Sequence, residues 1–281
     1  MEPVVHIEGL TFGYTSRSPL FQELSLSLRP GEVAGLLGEN GAGKTTLLKL
    51  IAGELFPDEG VGEVFGIPSE RRDPSVLARL WFLPEELPSY SIPAEDYACS
   101  TGAFYPGYRH DELLDLCDQL EVDVRQKLTR LSYGQQKKFF LAFALATGVP
   151  LLLLDEPTNG LDIPSKRQVR RLIPRYAAEG RTFLISTHQV RDLEHLIDPV
   201  IILHKGRIVL HASMDELQER LSFVVLPEAP PDALYVEKVP GGYGAILPGG
   251  GKGEVDLELL FDAARSRESE LPRIWRKEEL V

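Results

Sequence analysis

Apolar positions along the chain change their period several times, and each change predicts an element. Over residues 4–12, Val5, Ile7, Leu10 and Phe12 are set against His6 and Glu8, the alternation of a strand with one buried face. Residues 24–28 read as a second strand, ending at the turn Pro30-Gly31. Residues 33–37 are almost wholly apolar, as in a strand buried on both faces. A glycine-rich turn follows, and over residues 44–55 Leu47, Leu48, Ile51 and Leu55 recur at helical spacing. Residues 151–154 and 182–186 read as two further apolar strands. Strands separated by helices in this way predict an α/β fold, a parallel sheet wrapped by helices.

The pattern breaks twice. From about residue 73 prolines and aromatics cluster (Trp81, Tyr90, Tyr97, Phe104, Tyr105, Tyr108), and residues 110–120 read as an amphipathic helix. Another helix starts at Ser132 and runs through Phe139, Phe140, Phe143 and Leu145. Residues 73–148 are therefore expected to form a largely helical subdomain inserted into a main domain of residues 1–220. Beyond residue 221, residues 234–239 and 243–247 predict a hairpin across Pro240-Gly241-Gly242, and residues 255–265 a short helix. Residues 221–281 are expected to form a small α+β accessory domain.

Composition narrows the setting. With 43% hydrophobic and 26% charged residues among 281, the chain has globular make-up, without disorder or fibrous repeats. No apolar run approaches the roughly 18 residues that cross a bilayer, and the first ten residues do not resemble a secretion signal. Work at a membrane would call for a second chain. Cys99 and Cys117 are too few for a disulfide framework and have no metal-binding spacing, which fits a reduced cytosolic compartment. A net charge of −12, spread along the chain, argues against a nucleic-acid partner, so any polyanionic ligand must be held locally.

The sequence Gly38-Glu39-Asn40-Gly41-Ala42-Gly43-Lys44-Thr45 fits G-x-x-x-x-G-K-[ST] in full, with a strand before it and a helix after. Its glycines allow backbone N–H groups to wrap a chain of phosphates, and the following helix start, through Thr46, adds a partial positive charge. Lys44 supplies a point charge for the β and γ phosphates, and the Thr45 hydroxyl a magnesium ligand. Asp155 and Glu156 close the strand of residues 151–154, and ligands in such sheets bind beyond the carboxyl ends of strands. Asp155 is expected to hold magnesium, directly or through water, and Glu156 to polarise the water that attacks the γ-phosphate. An isolated Asp-Glu pair is commonly just a solvated strand end. The phosphate loop weighs against that reading here.

These two motifs indicate only a P-loop nucleotide hydrolase. Leu131-Ser132-Tyr133-Gly134-Gln135 narrows the class, because it resembles the Leu-Ser-Gly-Gly-Gln signature of the ABC ATPases, with Tyr133 at the third place. Ser132 and Gln135 also have the spacing of a capping box, which could simply start the next helix. Tyr14 resembles the family's adenine-stacking aromatic. Asn159-Gly160-Leu161-Asp162 resembles its D-loop, though Asp162 could merely cap a helix near Pro164. His188 resembles the switch histidine. Glu85, in Pro84-Glu85-Glu86, stands where the family usually has a glutamine that contacts magnesium.

The resemblance covers roughly residues 4–215. It implies a P-loop NTPase core with an N-terminal antiparallel β subdomain and a helical signature subdomain. It also implies ATP and Mg2+ as ligands, and a head-to-tail pair of ATP-binding subunits in which Ser132, Gly134 and Gln135 serve the partner's nucleotide. Catalysis would rest on Glu156, His188 and Lys44. A separate transmembrane permease, most like those of ABC-2-type exporters, would place the chain on the cytoplasmic face of the membrane. The alternatives are a soluble ABC ATPase acting on ribosomes or DNA, or a small-molecule P-loop kinase, which would leave the signature segment and His188 unexplained. The accessory domain could regulate, dimerise, dock or merely stabilise.

Overall fold

A computed structural model describes residues 2–15, 18–193, 195–251 and 253–266. β1 (Val5–Phe12) and β2 (Phe21–Leu28) pair antiparallel. β3 (Val33–Leu37) leads through the glycine turn into α1 (Lys44–Ile51). β4 (Glu59–Val64) and β5 (Ile67–Pro68) return to the first sheet, in the order β2-β1-β4-β5. After the single turn α2 (Pro74–Leu77), β6 (Leu80–Leu83) joins a second sheet, followed by α3 (Ala94–Gly102), α4 (His110–Gln119) and α5 (Tyr133–Ala146). Then come β7 (Leu151–Asp155), α6 (Ile163–Ala177), β8 (Thr182–Thr187), β9 (Val200–His204) and β10 (Arg207–Ala212). The second sheet has the order β10-β9-β3-β8-β7-β6 and is parallel except for the β9–β10 pair.

α7 (Met214–Arg220) leads into an antiparallel sheet of β11 (Leu221–Leu226), β12 (Tyr235–Val239) and β13 (Gly242–Pro248), ordered β11-β13-β12. α8 (Leu257–Arg265) packs on β12, β13 and β9. Leu221, Ile246 and Leu260 belong to the same apolar core as α5 and β7, so this C-terminal unit is continuous with the main body. Residues 267–281 of the expected accessory domain lie outside the described residues.

Strand alternation divides the buried residues into two cores. Leu151 and Leu153 face one side of the parallel sheet, where Leu47, Leu48 and Ile51 of α1 and the inner face of the first sheet cover them. Leu152 and Leu154 face the other side, against α5, α6 and the C-terminal unit. The uninterrupted apolar runs in the sequence thus reflect burial on both faces.

β1 buries Val5, Ile7, Leu10 and Phe12 as the sequence pattern indicates; the inward positions pass from odd to even numbers because the register shifts between Ile7 and Leu10, at Gly9 with φ +60°. Two sequence expectations are modified. α1 ends at Ile51, ahead of Gly53 in the left-handed region, and Leu55 lies beyond it. Residues 80–83 fall within the segment expected to be helical, yet they form an edge strand parallel to β7. Four consecutive apolar residues carry no period that would distinguish the two.

The aromatic cluster joins that edge strand to the helices. Phe143 of α5 is fully buried, with ring centroids of Trp81 at 4.9 Å, Tyr97 at 5.6 Å and Tyr108 at 5.6 Å. Edge-on and tilted pairs of this kind add to the area they bury. Phe143→Ala is expected to lower the unfolding free energy by about 3–5 kcal/mol in a denaturant titration. A loss below about 1 kcal/mol would mean the cluster is not what holds the helices to the sheet.

Candidate active site

β3, β8 and β7 are adjacent and parallel, so their carboxyl ends reach one edge of the sheet together. β3 delivers the glycine loop, β7 ends on Asp155, and β8 ends on Thr187 with His188 next. Gly41 (φ +81°) and Gly43 (φ +105°) take left-handed backbone in the loop. A Cβ on Gly43 would lie 2.8 Å from the Phe21 ring, so the loop is seated directly on β2. The first turn of α1 leaves backbone N–H groups without helical partners at this point.

Lys44 is buried, and its Nζ donates to the carbonyls of Gly38 (2.8 Å) and Glu39 (3.1 Å). The same ammonium lies 3.5 Å from Glu156 Oε1. Asp155 is fully buried; Oδ2 accepts from Thr45 Oγ1 at 2.6 Å and Oδ1 accepts from Ser186 Oγ. Glu156 adopts φ +46°, and its N–H donates to Ser186 Oγ at 3.1 Å. His188 Nδ1 is 2.7 Å from Glu156 Oε1, and Thr187 Oγ1 donates to Oε2 at 3.2 Å.

Thr45 and Asp155 line a cleft of about 630 Å3 together with Lys49, Leu83 and Glu85. A hydroxyl beside a carboxylate offers hard oxygen donors of the kind magnesium takes from protein, with phosphates and water completing its shell. Among the described residues no group of three His, Cys, Asp or Glu forms a metal cage of its own. The Thr45 hydroxyl and the Asp155 carboxylate fit as protein oxygen donors to such an ion.

Residues 21–159 match the family described as ABC transporter. The ABC transporter ATP-binding protein NatA of Bacillus subtilis is 33% identical over 205 residues, covering 70% of this chain and 83% of the relative. The chain belongs to the ABC transporter ATP-binding proteins. The bacitracin transport ATP-binding protein BcrA of Bacillus licheniformis is 30% identical over 225 residues, or 78% of this chain and 73% of that one. A solved ATP-binding subunit of an ABC transporter matches with TM-score 0.69 at 25% identity, covering 76% of this chain and 92% of that chain. The protein is thus an ATPase subunit coupled to transport.

The other family landmarks fall in two places around the ATPase core. Tyr14 is exposed beside α1; its hydroxyl is 3.0 Å from Thr46 Oγ1 and its ring meets Phe12 edge-on. Ser132 caps α5 with a reciprocal capping box: Ser132 Oγ accepts from the Gln135 N–H, and Gln135 Oε1 accepts from the Ser132 N–H. Among the described residues no hydrogen bond links Ser132, Gly134 or Gln135 to the chain's own glycine loop. Asp162 caps α6 by accepting from Ser165, a bond that holds its carboxyl below the usual range.

The two departures from the family pattern meet each other. Tyr133 Oη donates to the Glu85 carbonyl at 2.7 Å, and Glu85 Oε1 accepts from Asn159 Nδ2 at 2.8 Å. The Tyr133 ring lies against Gly160, where an added Cβ would come within 2.9 Å of it. Glu85 thereby joins the signature helix to the D-loop segment. Glu39 of the glycine loop pairs with Arg265 of α8 at 2.7 Å.

Sequence reasoning missed Ser186, Thr187 and Lys137. Two hydroxyl residues at the end of β8, just before His188, were the available signal for the first two. For Lys137 the signal was a lysine two residues ahead of the buried Phe139-Phe140. Burial holds its ammonium below the ordinary lysine range, against the pull of Glu85, Glu156 and Asp155.

Gly43→Ala combines a strained backbone with an overlap on Phe21. It is expected to weaken ATP binding about tenfold or more, measured by nucleotide titration of the folded variant. Affinity equal to the parent's would show that the loop geometry does not set nucleotide binding.

Proposed function

We propose that this ATPase subunit binds magnesium–ATP at the glycine loop, pairs head to tail with a second ATP-binding subunit, and drives a separate membrane-spanning permease. The observation that carries the reading is the meeting of Thr45 and Asp155, 110 positions apart, at 2.6 Å, with Lys44 and Glu156 beside them. The backbone from Gly38 through Glu39, Asn40, Gly41, Ala42 and Gly43 to Thr46 cradles the phosphates. Lys44 turns its ammonium from loop carbonyls to the β and γ oxygens. Thr45 and Asp155 hold the ion, with Glu85 on the wall of the same cleft. When bound, magnesium neutralises charge that develops on the phosphates during transfer.

Glu156 aligns the attacking water through its carboxylate, and His188 and Thr187 fix which way that carboxylate faces. Tyr14 offers an exposed ring to adenine. Ser132, Gly134 and Gln135, at the N-terminal end of α5 where the helix carries its partial positive charge, face the nucleotide of the partner subunit. The transport ATP-binding proteins NatA and BcrA, to which the chain is similar, support a membrane-spanning permease as partner, with this subunit docked at its cytoplasmic face. The segment Phe104-Tyr105-Pro106-Gly107-Tyr108 and the glutamate at position 85 favour the ABC-2-type exporter branch. Nothing in the site favours a ribosome- or DNA-directed ATPase.

Two variants separate binding from turnover. Lys44→Ala should weaken ATP affinity about tenfold or more, while Glu156→Gln should bind ATP within about threefold of the parent. Turnover of Glu156→Gln should fall about 10²–10³-fold, leaving an ATP-held pair visible by light scattering. Normal hydrolysis by Glu156→Gln would remove the residue from its assigned role. Ser132 variants mixed with parent subunits should lose activity at one of two sites; full activity in an all-variant pair would contradict the composite site.

A further inference from the structure

The Glu156 carboxylate is held by Thr187 and His188, but its backbone also needs support. Glu156 is a non-glycine residue with φ +46°, a conformation that L side chains adopt only when the surroundings enforce it. It opens the turn Glu156-Pro157-Thr158-Asn159, closed by the Asn159 N–H donating to the Glu156 carbonyl at 3.1 Å. That turn carries the glutamate at one end and the start of the D-loop segment at the other.

Lys137 bridges both ends. It lies one turn into α5 and is 1% exposed. Its Nζ donates to the Glu156 carbonyl at 2.5 Å and to the Asn159 carbonyl at 3.1 Å. The ammonium also stands 5.5 Å from the centroid of the Tyr133 ring, whose hydroxyl is bonded to Glu85. Glu85 in turn accepts from the Asn159 side chain. A buried lysine head with two carbonyl acceptors is not there to fill space, because an unbranched apolar side chain would pack the same volume without desolvating a charge.

We propose that Lys137 is a positioning residue for hydrolysis: its ammonium clamps the two ends of the turn after β7 and so fixes the Glu156 carboxylate where it can align water. The inference rests on Glu156 having that role. It also gives α5, the helix that begins with the signature, a direct hold on the hydrolytic residue of its own subunit. A shift of α5 when a partner's nucleotide engages Ser132 would pass to Glu156 through one side chain.

Methionine and glutamine are of similar bulk, but only glutamine can donate to a carbonyl. Lys137→Met and Lys137→Gln are therefore compared with the parent for ATP affinity, kcat, KM and thermal unfolding, with Glu156→Gln measured alongside. Lys137→Met is expected to keep ATP affinity and KM within about threefold while kcat falls about tenfold or more. Lys137→Gln is expected to recover kcat to within about threefold of the parent. A folded methionine variant with parental kcat overturns the proposal, as does a methionine variant more active than the glutamine one, the order that a packing role dictates. If the methionine chain does not fold, the glutamine chain decides: activity near the parent's supports the clamp, and a folded but inactive glutamine chain overturns it. Full turnover by Glu156→Gln would show instead that the reading of Glu156 itself is at fault.

Discussion

One buried carboxylate organises this molecule. Asp155 is fully enclosed at the end of β7, and an unpartnered charge there would cost several kcal/mol. Both of its oxygens are therefore taken, one by Thr45 from the start of α1 and the other by Ser186 from β8. Those bonds tie together three segments that are distant in sequence. They also fix the glycine loop and the ends of β7 and β8 relative to one another. The same requirement that a buried charge be satisfied thus builds the site.

What surrounds this carboxylate follows from strand geometry. Alternation along β7 and β8 sends side chains to two cores, one covered by α1 and the first sheet, the other by α5 and α6. The sheet edge is consequently rigid, and the residues after each strand inherit that rigidity. Glu156 shows the consequence: its N–H, its carbonyl and both carboxylate oxygens have partners drawn from β8, His188 and α5. The C-terminal unit adds a contact of its own, since Arg265 on α8 reaches Glu39 in the glycine loop. Its apolar residues continue the larger core, so its sheet and the ATPase core share one packing arrangement.

Much of this was legible in the sequence, and the reasons differ by element. The loop from Gly38 to Thr45 was readable because its chemistry demands fixed residue types at fixed spacing. β3 and β7 were readable because burial on both faces leaves nothing but apolar residues. β6 was not, because Leu80-Trp81-Phe82-Leu83 is too short to show a period and sits among helix-rich neighbours. In β1 the inward residues were readable, but the register shift at Gly9 that puts Ile7 and Leu10 on one face was not, since it depends on backbone pairing. The Lys137 contacts were beyond sequence reasoning, since they depend on where α5 crosses the turn after β7. Tyr133 and Glu85, which looked like two unrelated departures from a family pattern, lie in contact, the Tyr133 hydroxyl bonded to the Glu85 main-chain carbonyl.

The account stands or falls on Asp155 as the residue around which ion and nucleotide assemble. The direct test is binding of manganese, a spectroscopically visible substitute for magnesium, to the nucleotide-loaded chain, comparing the parent with a folded Asp155→Asn variant. The account predicts one manganese per bound nucleotide in the parent and affinity weaker by about tenfold or more in the variant, with metal-free ATP binding unchanged. Equal manganese affinity in the two proteins would contradict it.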